Sequence, residues 1–301
     1  MEFVNKWLSG QFETNEYDAV IKEIDSSHPN LEVAECALSL GIEELCNIAR
    51  ENLAESELLI LELISMRNSG EMDKMFNNID KALLLVREKG SRDLILEGRL
   101  RMELGLIKVQ TNSKDDPRED FEWALKRLSS VCEYSRLHGL SIINKAAFHE
   151  HVDEKLMALH LYGEIPLNGK FPKEVVGFSR IGAARIMMEI GHVSDSCRHL
   201  YNAHKIFKNS KNEELAWHSG FQFLTTAAPH IKINAKRMLD QSKDASPREI
   251  GEEIPKPEIN PLDLKEIAMN LKDSEAIYQN VDEEIKKFVD DIIDNTEFFS
   301  T

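Results

Sequence analysis

The chain has few residues that break helices and no closely spaced cysteines. Its 301 residues include only 14 glycines and 9 prolines, and this scarcity favours long helices over many short strands joined by tight turns. The four cysteines, Cys36, Cys46, Cys132 and Cys197, form no C-x-x-C pair. Their spacing excludes a zinc ribbon and a thioredoxin-like motif, and we expect them to be small core residues in a reducing compartment.

Targeting and membrane signals are also missing from the sequence. Residues 1–7 lack the basic region followed by an apolar one that marks a secretory signal peptide. The longest apolar candidate, residues 58–64, is interrupted by Glu62 and is far shorter than the ~18 residues that cross a bilayer. No N-x-Ser/Thr sequon occurs. We therefore predict a cytoplasmic protein with no membrane partner.

Acidic residues outnumber basic ones, but unevenly along the chain. The formal net charge is −16, and the field of such a protein repels nucleic acid and anionic membranes. Residues 173–243 are the exception, because they hold 11 basic and 6 acidic residues, a net charge of +5, between segments of −11 and −10. This distribution favours an acidic partner at the basic segment and disfavours nucleic acid.

Small residues recur at helical spacing between residues 180 and 207. Ala183, Ala184 and Met187 lie on one predicted helix, and Gly191 forms the turn that follows it. The second predicted helix carries a small or apolar residue at every third or fourth position: Val193, Ser196, Leu200 and Ala203. This spacing lets two antiparallel helices pack closely, so it predicts a helical hairpin.

This hairpin resembles the tetratricopeptide repeat (TPR), whose two helices pack through small residues. A fainter copy consists of Leu104-Gly105 followed by Ala124, Leu128 and Val131. Arg180 and Met187 stand where the repeat usually has tryptophan and tyrosine, and no regular period of about 34 residues runs through the chain. The resemblance implies an all-α fold, a TPR-like right-handed superhelix of antiparallel helix pairs (an α-solenoid) with a C-terminal helical extension. It also implies that a peptide or protein binds on the concave face, which the first helix of each pair lines; an irregular helical bundle is the alternative.

Composition changes near residue 242 and divides the chain into three predicted segments. Residues 1–241 are assigned to the helical-repeat domain, and residues 242–261, with four of the nine prolines, to an extended linker. Residues 262–301 are predicted to form acidic helices, with one apolar stripe made of Ile277, Val281, Ile285, Phe288 and Ile292. This stripe would cap the solenoid, join two copies in a homodimer or bind another protein. We expect capping, because an open stack of helices needs a terminal helix with a polar outer face.

The densest polar group in the sequence is a short run around His149. His149 and Asp153 are four residues apart and His151 and Glu154 three apart, so each pair could bind one metal ion from a helix. A metal-dependent hydrolase is therefore an alternative function. The run lacks the second histidine of H-E-x-x-H, and a solvated helix face explains it better. A second group, His192, His199 and His204, has poor ligand spacing, so we predict no metal and no cofactor.

The basic segment carries the leading functional hypothesis. Its candidate binding residues, on two successive predicted helices, are Arg180, Arg185, Arg198, Lys205, Lys208 and Lys211. Arginine can hold a carboxylate through two hydrogen bonds. We predict a non-enzymatic adaptor or scaffold that binds a protein segment, most simply an acidic one, in a groove near residues 176–211, with autoinhibition by the acidic tail as a secondary hypothesis. Scattered solubilising charges, or a nucleic-acid-associated regulator that uses residues 173–243, are the alternatives.

Overall fold

A computed structural model describes residues 14–24, 26–88, 92–244 and 259–295. Within these ranges the chain forms fifteen α-helices and one short 3₁₀ helix (Thr14–Glu16), and no strand. The predicted all-α class is confirmed. None of the described helices is both long enough and apolar enough to cross a membrane.

The chain forms two compact units, unit 1 (Met1–Val175) and unit 2 (Val176–Thr301), and all the described helices except Lys173–Glu189 lie within one of them. In chain order they are α1 (Tyr17–Glu23), α2 (Pro29–Leu40), α3 (Glu43–Arg50), α4 (Glu55–Ser69), α5 (Met72–Val86), α6 (Leu94–Gln110), α7 (Arg118–Val131), α8 (Arg136–His151), α9 (Lys155–Gly163), α10 (Lys173–Glu189), α11 (Val193–Asn209), α12 (Glu213–Asp244), α13 (Pro261–Asp273), α14 (Glu275–Tyr278) and α15 (Glu283–Asn295). The predicted domain boundary at residues 241/242 therefore falls inside α12, and residues 245–258 of the predicted linker lie outside the described ranges.

Unit 1 is a succession of helical hairpins. Helices α2 and α3, α4 and α5, α6 and α7, and α8 and α9 pack against each other as sequential pairs. The first helices of these pairs, α2, α4, α6 and α8, also pack against one another in that order. Gly98 permits the close approach within one pair, because a Cβ atom there would lie 2.9 Å from the side chain of Leu128. One apolar cluster extends through the first hairpins, from Val20 of α1 to Ile107 of α6.

Unit 2 contains the hairpin that the small residues predict. Gly191 adopts a left-handed backbone with φ of 82° between α10 and α11, as glycine allows. Ser196, Leu200 and Ala203 are buried on α11. The hydroxyl of Ser196 donates a hydrogen bond to the carbonyl oxygen of Ala184 at 2.8 Å, so the two helix backbones lie close together.

The helices after this hairpin depart from local sequence preference in two places. Proline disfavours the interior of a helix, but α12 continues through Pro229. The proline removes one backbone hydrogen bond, while Ala227, Ala228 and Ile231 around it are buried in the core, and that burial keeps the segment helical. The apolar stripe from Ile277 to Ile292 predicts one continuous helix, but the chain forms α14 and α15 instead. The Tyr278 hydroxyl donates to the carbonyl oxygen of Lys286 at 3.2 Å, which joins the two pieces across the intervening turn.

Candidate functional site

Basic and aromatic side chains form a row along one face of α11. We call Arg198, Tyr201, Lys205 and Lys208 the basic stripe; they are separated by three, four and three residues, so they follow one side of the helix. The carboxylate of Glu266 on α13 pairs with Lys205 and accepts a hydrogen bond from the Tyr201 hydroxyl at 3.1 Å. The middle of the stripe therefore contacts a carboxylate of the same unit.

A second polar contact joins the stripe to α13. Lys208 donates a hydrogen bond to the side-chain oxygen of Asn270, and the Asn270 amide lies 3.2 Å from Nε2 of His204. Nδ1 of His204 lies 2.8 Å from the carbonyl oxygen of Ala216. Burial lowers the pKa of His204, which favours the neutral ring that this arrangement requires. His204 is therefore a buried structural residue.

Lys205 and Glu266 shift each other's pKa. The hydrogen bond to Glu266 raises the pKa of Lys205, and the hydrogen bond from Lys205 lowers the pKa of Glu266. Both side chains are partly exposed, so solvent screens their attraction. The ion pair between Lys205 and Glu266 therefore orients α13 on α11 but contributes little to the stability of their contact.

The other predicted basic residues are spread over α10 and α11. The Arg198 side chain is 71% exposed and lies 3.4 Å from Asp195, and Lys211 is exposed just after α11. Arg185 is exposed on α10, whereas Arg180 is half-buried and burial lowers its pKa. Of the six residues predicted for partner binding, the structure brings Lys205 and Lys208 to α13.

Apolar contacts hold the C-terminal helices in unit 2. Leu264, Ile267 and Leu271 of α13 are buried in the core of this unit, and each such side chain contributes about 1.5–3 kcal/mol when fully buried. A partly exposed ion pair contributes about 0–1 kcal/mol, so the apolar face of α13 dominates. The predicted apolar stripe also packs here, with Phe288 at 6.2 Å from the ring of Phe221. These contacts lie within one chain and leave the homodimer untested.

The residues around His149 do not converge on one point. Nδ1 of buried His149 lies 2.6 Å from Glu154, and Arg118 donates to the same carboxylate at 2.7 Å. The hydrogen bond from Arg118, followed by that from His149, lowers the pKa of Glu154 to about 2. Asp153 is exposed and lies 3.2 Å from Lys155, and no group of three potential ligands suits a metal ion in the described residues. These contacts give His149, Asp153 and Glu154 a structural explanation, and His151 is exposed.

The other predicted histidine group is also dispersed. His192 is exposed and its Nδ1 lies 3.5 Å from Asp195. His199 is half-buried, and burial together with the charge of Arg180 lowers its pKa. His204 bonds to the backbone as described above. Each of the three histidines has a different local environment, and none shares a ligand position with another.

Sequence reasoning missed a charged cavity in unit 1. Its volume is about 200 Å³, and the first helices α2, α4, α6 and α8 supply its walls. Three arginines and two glutamates lie in these walls, and we call the site the arginine cavity: Arg67, Arg99, Arg136, Glu35 and Glu103. Apolar side chains and the polar Ser39 and Asn144 complete the lining.

Ion pairs connect the helices around the arginine cavity. Arg99 lies 2.9 Å from Glu35 and 3.5 Å from Glu103, which also pairs with Arg67 at 2.5 Å. Arg136 pairs with Glu174 at 3.0 Å and lies 3.9 Å from Glu35. Apart from Arg99–Glu103, which lies within α6, these pairs join different helices, and the pairs made by Glu35 connect α2 with α6 and α8.

Several donors at this site have no acceptor within hydrogen-bonding geometry. Arg99 is only 6% exposed, and its Nη1 atom has no hydrogen-bond partner among the described residues. Its Nε atom lies 3.5 Å from Glu103 and Nη1 of Arg136 lies 3.9 Å from Glu35, so both form ion pairs outside hydrogen-bonding geometry. Buried donors without acceptors are costly and are normally paired. The sequence signal for this site was the spacing of Arg99 and Glu103, four residues apart among apolar residues of α6. The same spacing is typical of an ion pair on a helix surface, so it does not by itself indicate a buried charged site.

Known proteins resemble this chain only weakly. No family model matches the chain, and no curated protein matches it. A crystal structure of BtubC (BKLC) from P. vanneervenii is similar at 13% sequence identity and a TM-score of 0.36, over 94% of this chain and 91% of that one. Similarity at this level assigns no function. The described helices define the class of the protein, an all-α protein with packed helical hairpins in each unit.

Proposed function

We propose that the chain is a non-enzymatic helical-repeat adaptor, built as a TPR-like α-solenoid, that binds an acidic protein segment on the basic stripe. One observation carries this proposal: the stripe already contacts a carboxylate on a helix of its own chain. Glu266 of α13 engages Lys205 and Tyr201 together. A partner helix whose carboxylates are spaced like the basic side chains of the stripe can accept hydrogen bonds from the same donors as Glu266 does.

Basic side chains next to this contact remain accessible. Arg198, at one end of the stripe, is largely exposed, and Lys208 and Lys211, at the other end, are exposed as well. Arg185 adds an exposed guanidinium on the preceding helix α10. A partner can therefore engage these side chains while the apolar face of α13 stays buried. The autoinhibition hypothesis then takes a limited form, in which Glu266 competes for the stripe without α13 leaving the core.

The packing order in unit 1 supports the repeat architecture. Each first helix contacts the next first helix as well as its own partner helix, and solenoids of helix pairs are built on this nearest-neighbour scheme. Such proteins present surface for binding partners, and the surface charge decides which partners suit it.

Charge reversal on the stripe tests the proposal. The probe is a fluorescent helical peptide with glutamates three and four residues apart, and its affinity for the full chain is measured by anisotropy at low and at moderate salt. We expect Arg198→Glu together with Lys208→Glu to weaken binding about tenfold at low salt, because two attractive contacts become repulsive. Glu266→Gln is expected to strengthen binding severalfold, because it releases Lys205 and Tyr201.

The matched control is Lys114→Glu together with Lys126→Glu, two exposed positions in unit 1 that change the net charge by the same amount. Equal loss of affinity in the stripe variant and this control would show that only overall charge matters, and would refute the stripe as the site. Tighter binding of a single-stranded oligonucleotide than of the acidic peptide would favour the nucleic-acid alternative instead.

A further inference from the structure

Two apolar side chains lie exposed beside the basic stripe. Leu262 is 62% exposed and Met269 is 48% exposed, and both belong to α13. Glu266 comes four residues after Leu262 and three before Met269, so the three share one face of the helix. Lys205 and Tyr201 of the stripe engage the carboxylate of this same Glu266. The exposed apolar side chains therefore flank the contact between α13 and the stripe.

Helices α11 and α13 lie side by side in unit 2. Both pack against α12, and polar side chains join them to each other. Lys205 of α11 pairs with Glu266 of α13, and one turn later Lys208 bonds to Asn270. The contacts advance in the same direction along both helices, so the two helices run parallel. Positions before and after Glu266 on α13 can therefore be matched to positions along the stripe.

The surface that the two helices share presents two kinds of side chain. Arg198 of α11 and Leu262 of α13 both come about one turn before the central contact. Lys208 of α11 and Met269 of α13 both come about one turn after it. The α11 side is therefore basic and the α13 side apolar. A partner that offers charge alone leaves the apolar side in water, whereas an amphipathic helix covers both sides.

We infer that the partner of the basic stripe is an amphipathic helix with carboxylates on one flank and two apolar side chains, seven residues apart, on the adjacent flank. The carboxylates contact Arg198 and Lys208. The apolar side chains pack on Leu262 and Met269, which are also seven residues apart. This inference rests on the proposed function, because it requires that an acidic segment binds the stripe.

Charge selects this occupant over a second copy of the chain. In a symmetric pair of copies the same surface meets itself, so the two basic stripes would face each other and repel. An acidic helix is attracted by the stripe instead. Its apolar side chains add affinity that salt does not screen, because the removal of apolar surface from water does not depend on charge.

Three helical peptides with the same glutamates test the inference by anisotropy on the full chain. The first has alanines at two positions seven residues apart beside the glutamates, and the second has leucines there. The third has alanines there and the two leucines on its opposite face. We expect the second peptide to bind about tenfold more tightly than the first at moderate salt, and the third to bind like the first. Equal affinities of the second and third peptides would overturn the inference, because leucine would then act without regard to its position.

Substitution of the apolar pair tests whether α13 provides the contact. Leu262→Gln together with Met269→Gln leaves the net charge unchanged, and we expect it to abolish the preference for the second peptide without changing the affinity of the first. The matched control is Leu84→Gln together with Leu156→Gln, two exposed positions in unit 1, which is expected to keep the preference. A preference that survives in the α13 variant would refute the inference.

The results separate this inference from the proposed function. If none of the peptides binds, or if Arg198→Glu with Lys208→Glu leaves the affinity of the first peptide unchanged, the proposed function fails and the inference fails with it. If the first peptide binds through the stripe and leucine adds nothing, only the inference fails. Sedimentation of the full chain tests the other occupant: self-association that Leu262→Gln with Met269→Gln abolishes would identify a second copy and overturn the inference.

Discussion

His28 connects the N-terminal ends of three first helices in unit 1, and its removal gives a quantitative test of that arrangement. It precedes α2, and its Nδ1 atom lies 2.8 Å from Glu57 of α4. Its Nε2 atom lies 3.0 Å from Asp93, the residue that caps α6. The side chain is only 15% exposed. A positively charged imidazole here pairs with two carboxylates at once.

The pKa of His28 gives the size of the effect. Burial alone would lower it, but the contacts with Asp93 and then Glu57 outweigh burial and raise the pKa from an ordinary 6.5 to about 9. Because a tenfold change in proton affinity is worth about 1.4 kcal/mol, this shift sets a ceiling of about 3 kcal/mol on the contribution of the charge to folding. Residual solvent exposure reduces the expected contribution to about 1–2 kcal/mol.

The sign of the pH dependence follows from the raised pKa. The contribution is fully present below pH 6.5, where the unfolded chain is also protonated, and it is lost as the pH rises through about 9. We therefore expect His28→Gln to lower the free energy of unfolding by about 1–2 kcal/mol at pH 6, with the difference from wild type disappearing towards pH 9.5. Urea unfolding at half-unit pH intervals measures this difference.

The control is His151→Gln, which changes an exposed histidine of the same unit and is expected to have little effect at any pH. A difference for His28→Gln that stays constant between pH 6 and 9.5 would show that the ring acts through packing alone. A difference that grows with pH would refute the assignment of the charge.

Two further substitutions test how closely α10 packs in unit 2, and thermal unfolding measures both. Gly177→Ala is expected to destabilise the protein by about 1–3 kcal/mol, because the new Cβ atom would lie 2.4 Å from the buried ring of Phe207. Gly163→Ala is its control, because a Cβ atom at that position meets no atom within 4 Å. Similar losses of stability at both positions would contradict the close approach of α10 to Phe207. Ser196→Ala is expected to cost about 1 kcal/mol through the hydrogen bond to Ala184, and a stability equal to wild type would show that this bond contributes nothing net.

The local features that the sequence predicted correctly are those that depend on neighbours along the chain. Glycine and proline scarcity indicated helices, and the spacing of Ser196, Leu200 and Ala203 indicated a buried helix face; both are confirmed. The turn at Gly191 followed from the conformations that only glycine adopts readily. Each of these depends on residues within one or two helical turns, so no knowledge of distant contacts was needed.

Features that depend on distant partners were not accessible in this way. The continuation of α12 through Pro229 requires the apolar neighbours of unit 2, and the sequence shows only a proline that disfavours helix. From the sequence, Lys205 is expected to be an unpaired cation, because its partner Glu266 lies 61 residues later in the chain. The histidine run around His149 resembled a metal site because the sequence did not reveal that Arg118 holds Glu154.

The sequence by itself determined that this protein is made of helices, where many of them turn, and which faces are apolar, because backbone preference and side-chain periodicity act locally. Only the tertiary structure decided which charges meet. It placed Arg67, Arg99 and Arg136 with their carboxylates around one cavity although they lie on three different helices. Ion pairs between helices depend on how those helices pack, and no spacing along the chain encodes that arrangement.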